Sequence, residues 1–203
     1  TNQGSAYIFA RNQGGADQWG QVAHLTAADG TVGDNFGHSV AISGDTALVG
    51  APFDDVGAHR NQGSAYIFAR NQGGADHWGQ VAHLTAADGS AYDEFGSSVA
   101  ISGDTALVGA DYDNVAGNEG QGSAYVFGRN QGGADQWGQV AHLTAADGSA
   151  ADLFGSSVAI SGDTALVGAP YADVGSNLDQ GPAYVFGRNR GGPSHRGQVA
   201  PLN

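Results

Sequence analysis

An all-β protein made of repeated four-stranded antiparallel units is the fold class this sequence predicts, on three observations. The stretch FGHSVAISGDTALVGAP, residues 36–52, returns as FGSSVAISGDTALVGAD from Phe95 and FGSSVAISGDTALVGAP from Phe154, a constant period of 59. Val, Ile and Leu fill short runs bounded by Gly and Asp, which is strand and turn chemistry. No helical periodicity of any length is present.

Each copy of that stretch reads as two apolar strands joined by the turn Ser43-Gly44-Asp45-Thr46 and its repeats. A third strand follows as Gly63-Ser64-Ala65-Tyr66-Ile67-Phe68, again from Gly122, and as Gly-Pro-Ala-Tyr-Val-Phe from Gly181. The chain opens in the same element at Gly4. Tyr and Phe alternate with Ile or Val, so both faces are apolar. Arg-Asn-Gln-Gly-Gly supplies a hairpin turn. A more polar fourth strand begins at Trp19, Trp78 and Trp137, carrying Gln and His24, His83 or His142. These histidines are expected to face solvent, and the tryptophans to pack on a neighbouring unit. The unrepeated His38, His59, His77 and His195 carry no ligand pattern.

Four antiparallel strands in a unit of about 40–60 residues are the repeat of a β-propeller blade. A β-solenoid is the rival, but its coils repeat in fewer than about 30 residues. The expected divisions are a half-blade at 4–27 and blades at 36–86, 95–145 and 154–203.

Phe-Gly-x-Ser-Val-Ala followed by Val-Gly-Ala-Pro resembles the FG-GAP repeat, the blade unit of integrin α-chain propellers. The bacterial form is the closer likeness, with its Trp-x-Gln-x-Ala-x-Leu strand, an Asp-Gly-x-x-x-Asp-x-Phe-Gly loop, and Gly-Ser-Ala-Tyr-Val-Phe. The resemblance implies a propeller, usually seven-bladed, in an extracellular or cell-surface setting. It also implies calcium in a loop of the form Asp-x-Asp-x-Asp-Gly-x-x-Asp between the first two strands. Here that position holds only the short turn Ser43–Thr46, so calcium is not expected there.

The 203 residues carry about three and a half periods, too few to close a seven-bladed ring. The last half-repeat is degenerate: Pro182 stands at the Ser123 position, Pro193 falls near the Asp135 position, Arg196 replaces Trp137 and Pro201 replaces His142. Proline removes a ladder donor. One expectation is self-association, with the N-terminal strand pair of one chain docking on the first two strands of another chain's last blade. Two chains would then form a six-bladed ring. The alternatives are a fragment, or a last blade that caps the stack.

Composition narrows the function. The net charge is −13, from 20 acidic residues against 7 arginines and no lysine. Such a surface repels nucleic acid and anionic membranes and suits cations or basic partners. No run of about 18 apolar residues occurs, so no membrane insertion through a helix is expected. There is no cysteine, hence no disulfide or thiol chemistry.

The copies differ mainly in two loops per repeat, 29–35, 88–94 and 147–153, and 52–62, 111–121 and 170–180. Up-and-down connectivity places both at one end of each sheet, a recognition face on a rigid scaffold. The first set carries Asp29 and Asp34, Asp88 and Asp93, Asp147 and Asp152 at one spacing. These are the candidate metal ligands, since clustered hard oxygens suit Ca2+. The second set carries Asp54, Asp55, Asp113, Asn114 and Asp173, candidate ligand-binding residues. Asp in turns also bonds backbone donors, the structural alternative. No nucleophile elbow, phosphate loop or His-Glu-x-x-His motif occurs, so no enzyme is expected. The expected function is non-catalytic binding or adhesion to a protein or glycan. The alternatives are a lectin with repeated glycan sites, or a structural protein joined through half-blades.

Overall fold

The computed structural model describes residues 3–188 and 196–202, the latter by backbone alone. Pro193 and His195 lie outside the described residues, as do the side chains of Arg196 and Pro201.

Four antiparallel sheets follow one another along the chain. The first has two strands, β1 (Ala6–Arg11) and β2 (Trp19–Leu25). The second is β3 (Val40–Ser43), β4 (Thr46–Ala51), β5 (Ser64–Arg70) and β6 (Trp78–Leu84). The third repeats it as β7 (Ser98–Ser102), β8 (Thr105–Ala110), β9 (Ser123–Arg129) and β10 (Trp137–Leu143). The fourth is β11 (Ser157–Ser161), β12 (Thr164–Gly168), β13 (Ala183–Arg188) and β14 (Arg196–Leu202). Each four-stranded sheet runs up and down in sequence order. The sheets do not close on one another. The degenerate tail pairs in place as β14, with Tyr184 opposite Pro201.

The expected turns form where Ser-Gly-Asp-Thr stands, with Ser43 paired to Thr46 across the first of them. The Arg-Asn-Gln-Gly-Gly hairpins are held locally: the Asn12, Asn71 and Asn130 side chains accept the backbone N–H of Asp17, Asp76 and Asp135 at 2.8–2.9 Å. A bulge interrupts the third-to-fourth strand ladder in every sheet, at Gln139/Ala141 for example, leaving Val140 unpaired.

The core lies between sheets rather than within one. Leu48 and Ile67 of one sheet meet Ala106, Val108, Tyr125 and Phe127 of the next, with Phe95 of the connecting segment sealed between them. Phe95 and Phe154 have no exposed surface, and burying a Phe side chain contributes about 1.5–3 kcal/mol. The middle strands β4, β5, β8 and β9 are buried on both faces because a sheet lies on either side. In β12 and β13 every second residue is exposed or half-buried, because among the described residues no sheet lies on that face. Trp78 and Trp137 pack on the sheet before their own, as expected. Trp19 departs from that expectation: it is 69% exposed, with no sheet against it among the described residues.

Two polar ladders tie the sheets. Phe36, Phe95 and Phe154 donate their N–H groups to the carbonyls of Gln3, Gln62 and Gln121 at 2.8–2.9 Å. Ser39 and Ser98 hydroxyls donate to Gly96 and Gly155 carbonyls at 2.8 and 2.6 Å. Contacts between successive first strands, β3 with β7 and β7 with β11, are denser than those between successive fourth strands. The stack is therefore tighter at its first-strand side than at its fourth.

Candidate functional site

Antiparallel order sends the β2–β3 and β4–β5 connections to the same end of the stack, and their counterparts likewise. Hydrogen bonds weld them into one band. Phe53 N–H donates to Asp34 O at 3.3 Å within a repeat. Tyr92 N–H donates to Arg60 O at 2.8 Å, and Ala151 N–H to Glu119 O at 2.8 Å, between repeats. A hollow of about 310 Å³ between Val32, Asp34, Phe53, Asp55 and Arg60 opens on this band.

The eleven candidate residues separate into four kinds. Asp34, Asp93 and Asp152 are buried, at 3%, 1% and 5% exposure. They face their own loops, not solvent: Asp34 accepts Thr31 N–H at 2.5 Å and Thr31 Oγ–H at 2.8 Å, and Asp93 and Asp152 accept the N–H of Ser90 and Ser149 at 2.5 and 2.7 Å. Burial pushes the Asp93 carboxyl up to about 6, with Asp113 and Asp88 adding repulsion. One oxygen of Asp93 is buried without a partner. At that place in the first loop the hydroxyl of Thr31 reaches Asp34 Oδ1.

Asp54 and Asp113, expected as ligand-binding residues, are also turned inward. Each is 8–9% exposed. Asp54 accepts from the Ser64 hydroxyl and, at 3.2 Å, from Tyr66. Asp113 accepts from Ser123 at 2.5 Å and Tyr125 at 3.1 Å. The reason is local: the loop turns back onto the start of the third strand and carries the carboxylate under it. Burial raises the Asp54 carboxyl above the usual range, and the Ser64 bond opposes this.

Asp29 and Asp88 are half exposed and lean on histidine: His83 Nδ1 lies 3.4 Å from Asp29, and His142 Nδ1 lies 3.3 Å from Asp88. Burial, and Asp147 nearby, raise the Tyr184 phenol above its ordinary range. His83 and His142 are exposed on their strands, as expected, and also engage neighbouring side chains. Their Nε2 atoms lie 2.8 Å from Ser64 and Ser123 Oγ, and their rings stack on Tyr66 and Tyr125. His24 stacks on Tyr7 in the same way.

Asp55, Asn114 and Asp173 are exposed and bond the backbone N–H of Asn61, Gly120 and Asp179 at 2.8–2.9 Å. They shape the loop tips.

A serine, a histidine and an aspartate in hydrogen-bond sequence also occur in hydrolases. Here the serine donates to Asp54, and Ser64 and Ser123 have no exposed surface. Neither hydroxyl can reach a substrate, so the set braces the loop. Among the described residues, no group of three or more His, Cys, Asp and Glu side chains converges as a metal site.

Sequence reasoning passed over the outward side chains. Phe53, Tyr112 and Tyr171 recur at the 59-residue period on the loop band and are 37%, 48% and 53% exposed. Beside them the tip position changes chemistry, as Arg60, Glu119 and Leu178, all exposed. The available signal was an aromatic residue kept at one position inside otherwise divergent loops.

Tandem sheets of this order, interlocked through Phe-Gly segments, define a class of repeat protein. The FG-GAP repeat family matches residues 19–68, 78–127 and 137–186, and the chain belongs to that family. Each match begins with the fourth strand of one sheet and ends with the third strand of the next, so the sequence repeat straddles two sheets. Comparison with curated proteins returned no match. Repeats of this family are often extracellular binding modules.

Proposed function

We infer that the chain is an arc of β-propeller blades that acts as a non-catalytic extracellular binding or adhesion module. Its binding surface is the loop band. The tighter packing at the first-strand side supports a fan of blades about an axis. One observation carries the binding reading: a ring per repeat exposed on a rigid, hydrogen-bonded band, at Phe53, Tyr112 and Tyr171. Aromatic residues on preorganised surfaces are favoured binding anchors because they bury much area at little entropy cost.

Arg60, Glu119 and Leu178 beside those rings favour a single extended ligand, such as a protein surface, over three identical sites. A lectin is the second reading, favoured by the recurrence of the rings, since sugars stack on aromatic faces. Arrays of extracellular-matrix proteins and of glycans separate the two. The first reading expects protein binding that falls at least tenfold in Tyr112→Ala and Tyr171→Ala at unchanged melting temperature. The second expects one glycan to bind at more than one site per chain. Binding indifferent to both substitutions overturns the loop-band assignment.

A further inference from the structure

The first sheet is the outer half of a unit whose inner half the described chain does not supply. β5, β9 and β13 each pair with a second strand, whereas β1 pairs with β2 alone. Beside its open edge lies a hollow of about 330 Å³ lined by Tyr7, Ile8, Phe9, Val40, Ala41 and Ile42. Val40 and Ile42 are 62% and 58% exposed. Their counterparts Val99, Ile101, Val158 and Ile160 pack against the core clusters. What covers those counterparts is the β3–β4 or β7–β8 hairpin of the preceding sheet.

Charge specifies the occupant further. Arg70, Arg129 and Arg188 each reach the turn aspartate of their own inner hairpin, Asp45, Asp104 and Asp163, at 3.2–3.5 Å. Their backbone N–H groups donate to the same residues' carbonyls at 2.9 Å. Arg11 stands at the equivalent place and, among the described residues, pairs with its outer partner, Asp17, and with no inner turn aspartate. The inner turns also link in file, Gly103 N–H to Ser43 Oγ at 3.1 Å and Gly162 N–H to Ser102 Oγ at 3.2 Å. The slot is thus complementary to one structure, a Ser-Val-Ala-Ile-Ser-Gly-Asp-Thr-Ala-Leu-Val-Gly-Ala hairpin.

We propose that a second copy of this chain fills the slot with its β11–β12 hairpin, by exchange of strand pairs. Every such hairpin in the chain already carries an outer pair, so one pair must let go. By sequence, β13–β14 lacks side-chain ties that β5–β6 and β9–β10 have. Ala172 stands where Asp54 and Asp113 hold the third strand, and Pro182 replaces the serine that those carboxylates bind. Pro201 faces Tyr184 where histidine stacks in the other sheets. β12 and β13 are each one residue shorter than β8 and β9. The incoming β1–β2 pair restores the Tyr7–His24 stack at that place. By the β12–β13 register, Ala165 would face Phe9, Val167 would face Tyr7, and Asp163 would meet Arg11 of the other copy. The proposal rests on the sheet register and does not depend on what the loop band binds.

Sedimentation of the full chain over a range of concentrations tests it. The expected result is a concentration-dependent dimer, twice the 20.4 kDa of one chain. Ile42→Glu should abolish the dimer while leaving the monomer's circular dichroism and melting temperature unchanged, because Ile42 is already exposed there. Arg11→Asp should weaken the dimer at least tenfold. A synthetic peptide of residues 156–169 in excess should return the protein to monomer. A chain monomeric at every concentration, or a dimer indifferent to Ile42→Glu and to the peptide, overturns the proposal. Peptide binding to a chain that never dimerises also overturns it, because the hairpin would then come from another source.

Discussion

The imidazole of His83 lies flat on the phenol ring of Tyr66, 4.6 Å between centroids and 5° between planes. The pair stands at the join between strand and loop. Tyr66 bonds Asp54 from below, and His83 reaches Ser64 and Asp29 from its two nitrogens. Through it the variable loops are anchored to the constant sheet, so loop sequence can change without loosening the band. His142 and Tyr125 repeat the arrangement at 4.5 Å and 8°.

Removing one hydroxyl from this network should be costly. In Ser123→Ala, Asp113 loses its shortest bond and His142 loses its Nε2 partner, around a serine that has no exposed surface. A buried polar group left unpaired costs about 1–3 kcal/mol. Urea unfolding should show a loss of that order for Ser123→Ala, and little change for Ser5→Ala, whose hydroxyl bonds no aspartate among the described residues.

Stability should fall as pH rises from about 4 to about 6. Folded Asp93 keeps its proton up to about 6, while the unfolded chain releases it near 3.8. Between these values unfolding releases a proton, so a rise in pH favours the unfolded chain. The contribution is fully present below 3.8 and gone above about 6. Asp54, Asp111 and Asp152 are shifted upward too, chiefly by burial, and act in the same direction. Melting temperatures between pH 4 and 7 should show the decline, and Asp93→Asn should flatten it.

Gly122 and Gly132 both have positive φ, +86° and +92°, yet should respond differently to alanine. A Cβ on Gly122 would stand 2.1 Å from the Phe154 carbonyl oxygen, within the backbone ladder that ties two sheets. Nothing lies within 4 Å of one on Gly132. Gly132→Ala should cost about 1 kcal/mol of backbone strain. Gly122→Ala should cost about 3 kcal/mol or more, since neither backbone can yield. Paired denaturant titrations give the difference directly.

Chelation should leave the fold untouched. Asp34 accepts through both oxygens, and Asp54 and Asp113 through Oδ2, from groups of their own repeat, and among the described residues no three acidic or histidine side chains converge to hold Ca2+. Scanning calorimetry with and without EDTA should give one melting temperature. A shift of several degrees would place a cation in the loops.

Strands and turns were legible because their signals are local. Val-Ala-Ile-Ser-Gly-Asp-Thr-Ala-Leu-Val specifies two apolar strands and their reversal without help from elsewhere, and the 59-residue period specifies the stacking order. The loop carboxylates were legible as positions but not as roles. Asp54 and Asp55 are neighbours in sequence, yet one is carried beneath the third strand and the other faces solvent. The bulge that leaves Val140 unpaired has no composition signal either.

Sequence alone therefore determined the repeat, the strand order and the family of this protein, since each is set by residues close together along the chain. Tertiary structure decided which side chains the loop band turns outward, Phe53, Tyr112 and Tyr171 rather than Asp54 and Asp113. It also decided that Val40 and Ile42 stand uncovered where Val99 and Ile101 do not. Both outcomes depend on what lies against a residue in space, and identical repeats meet different neighbours at the middle of a stack and at its end.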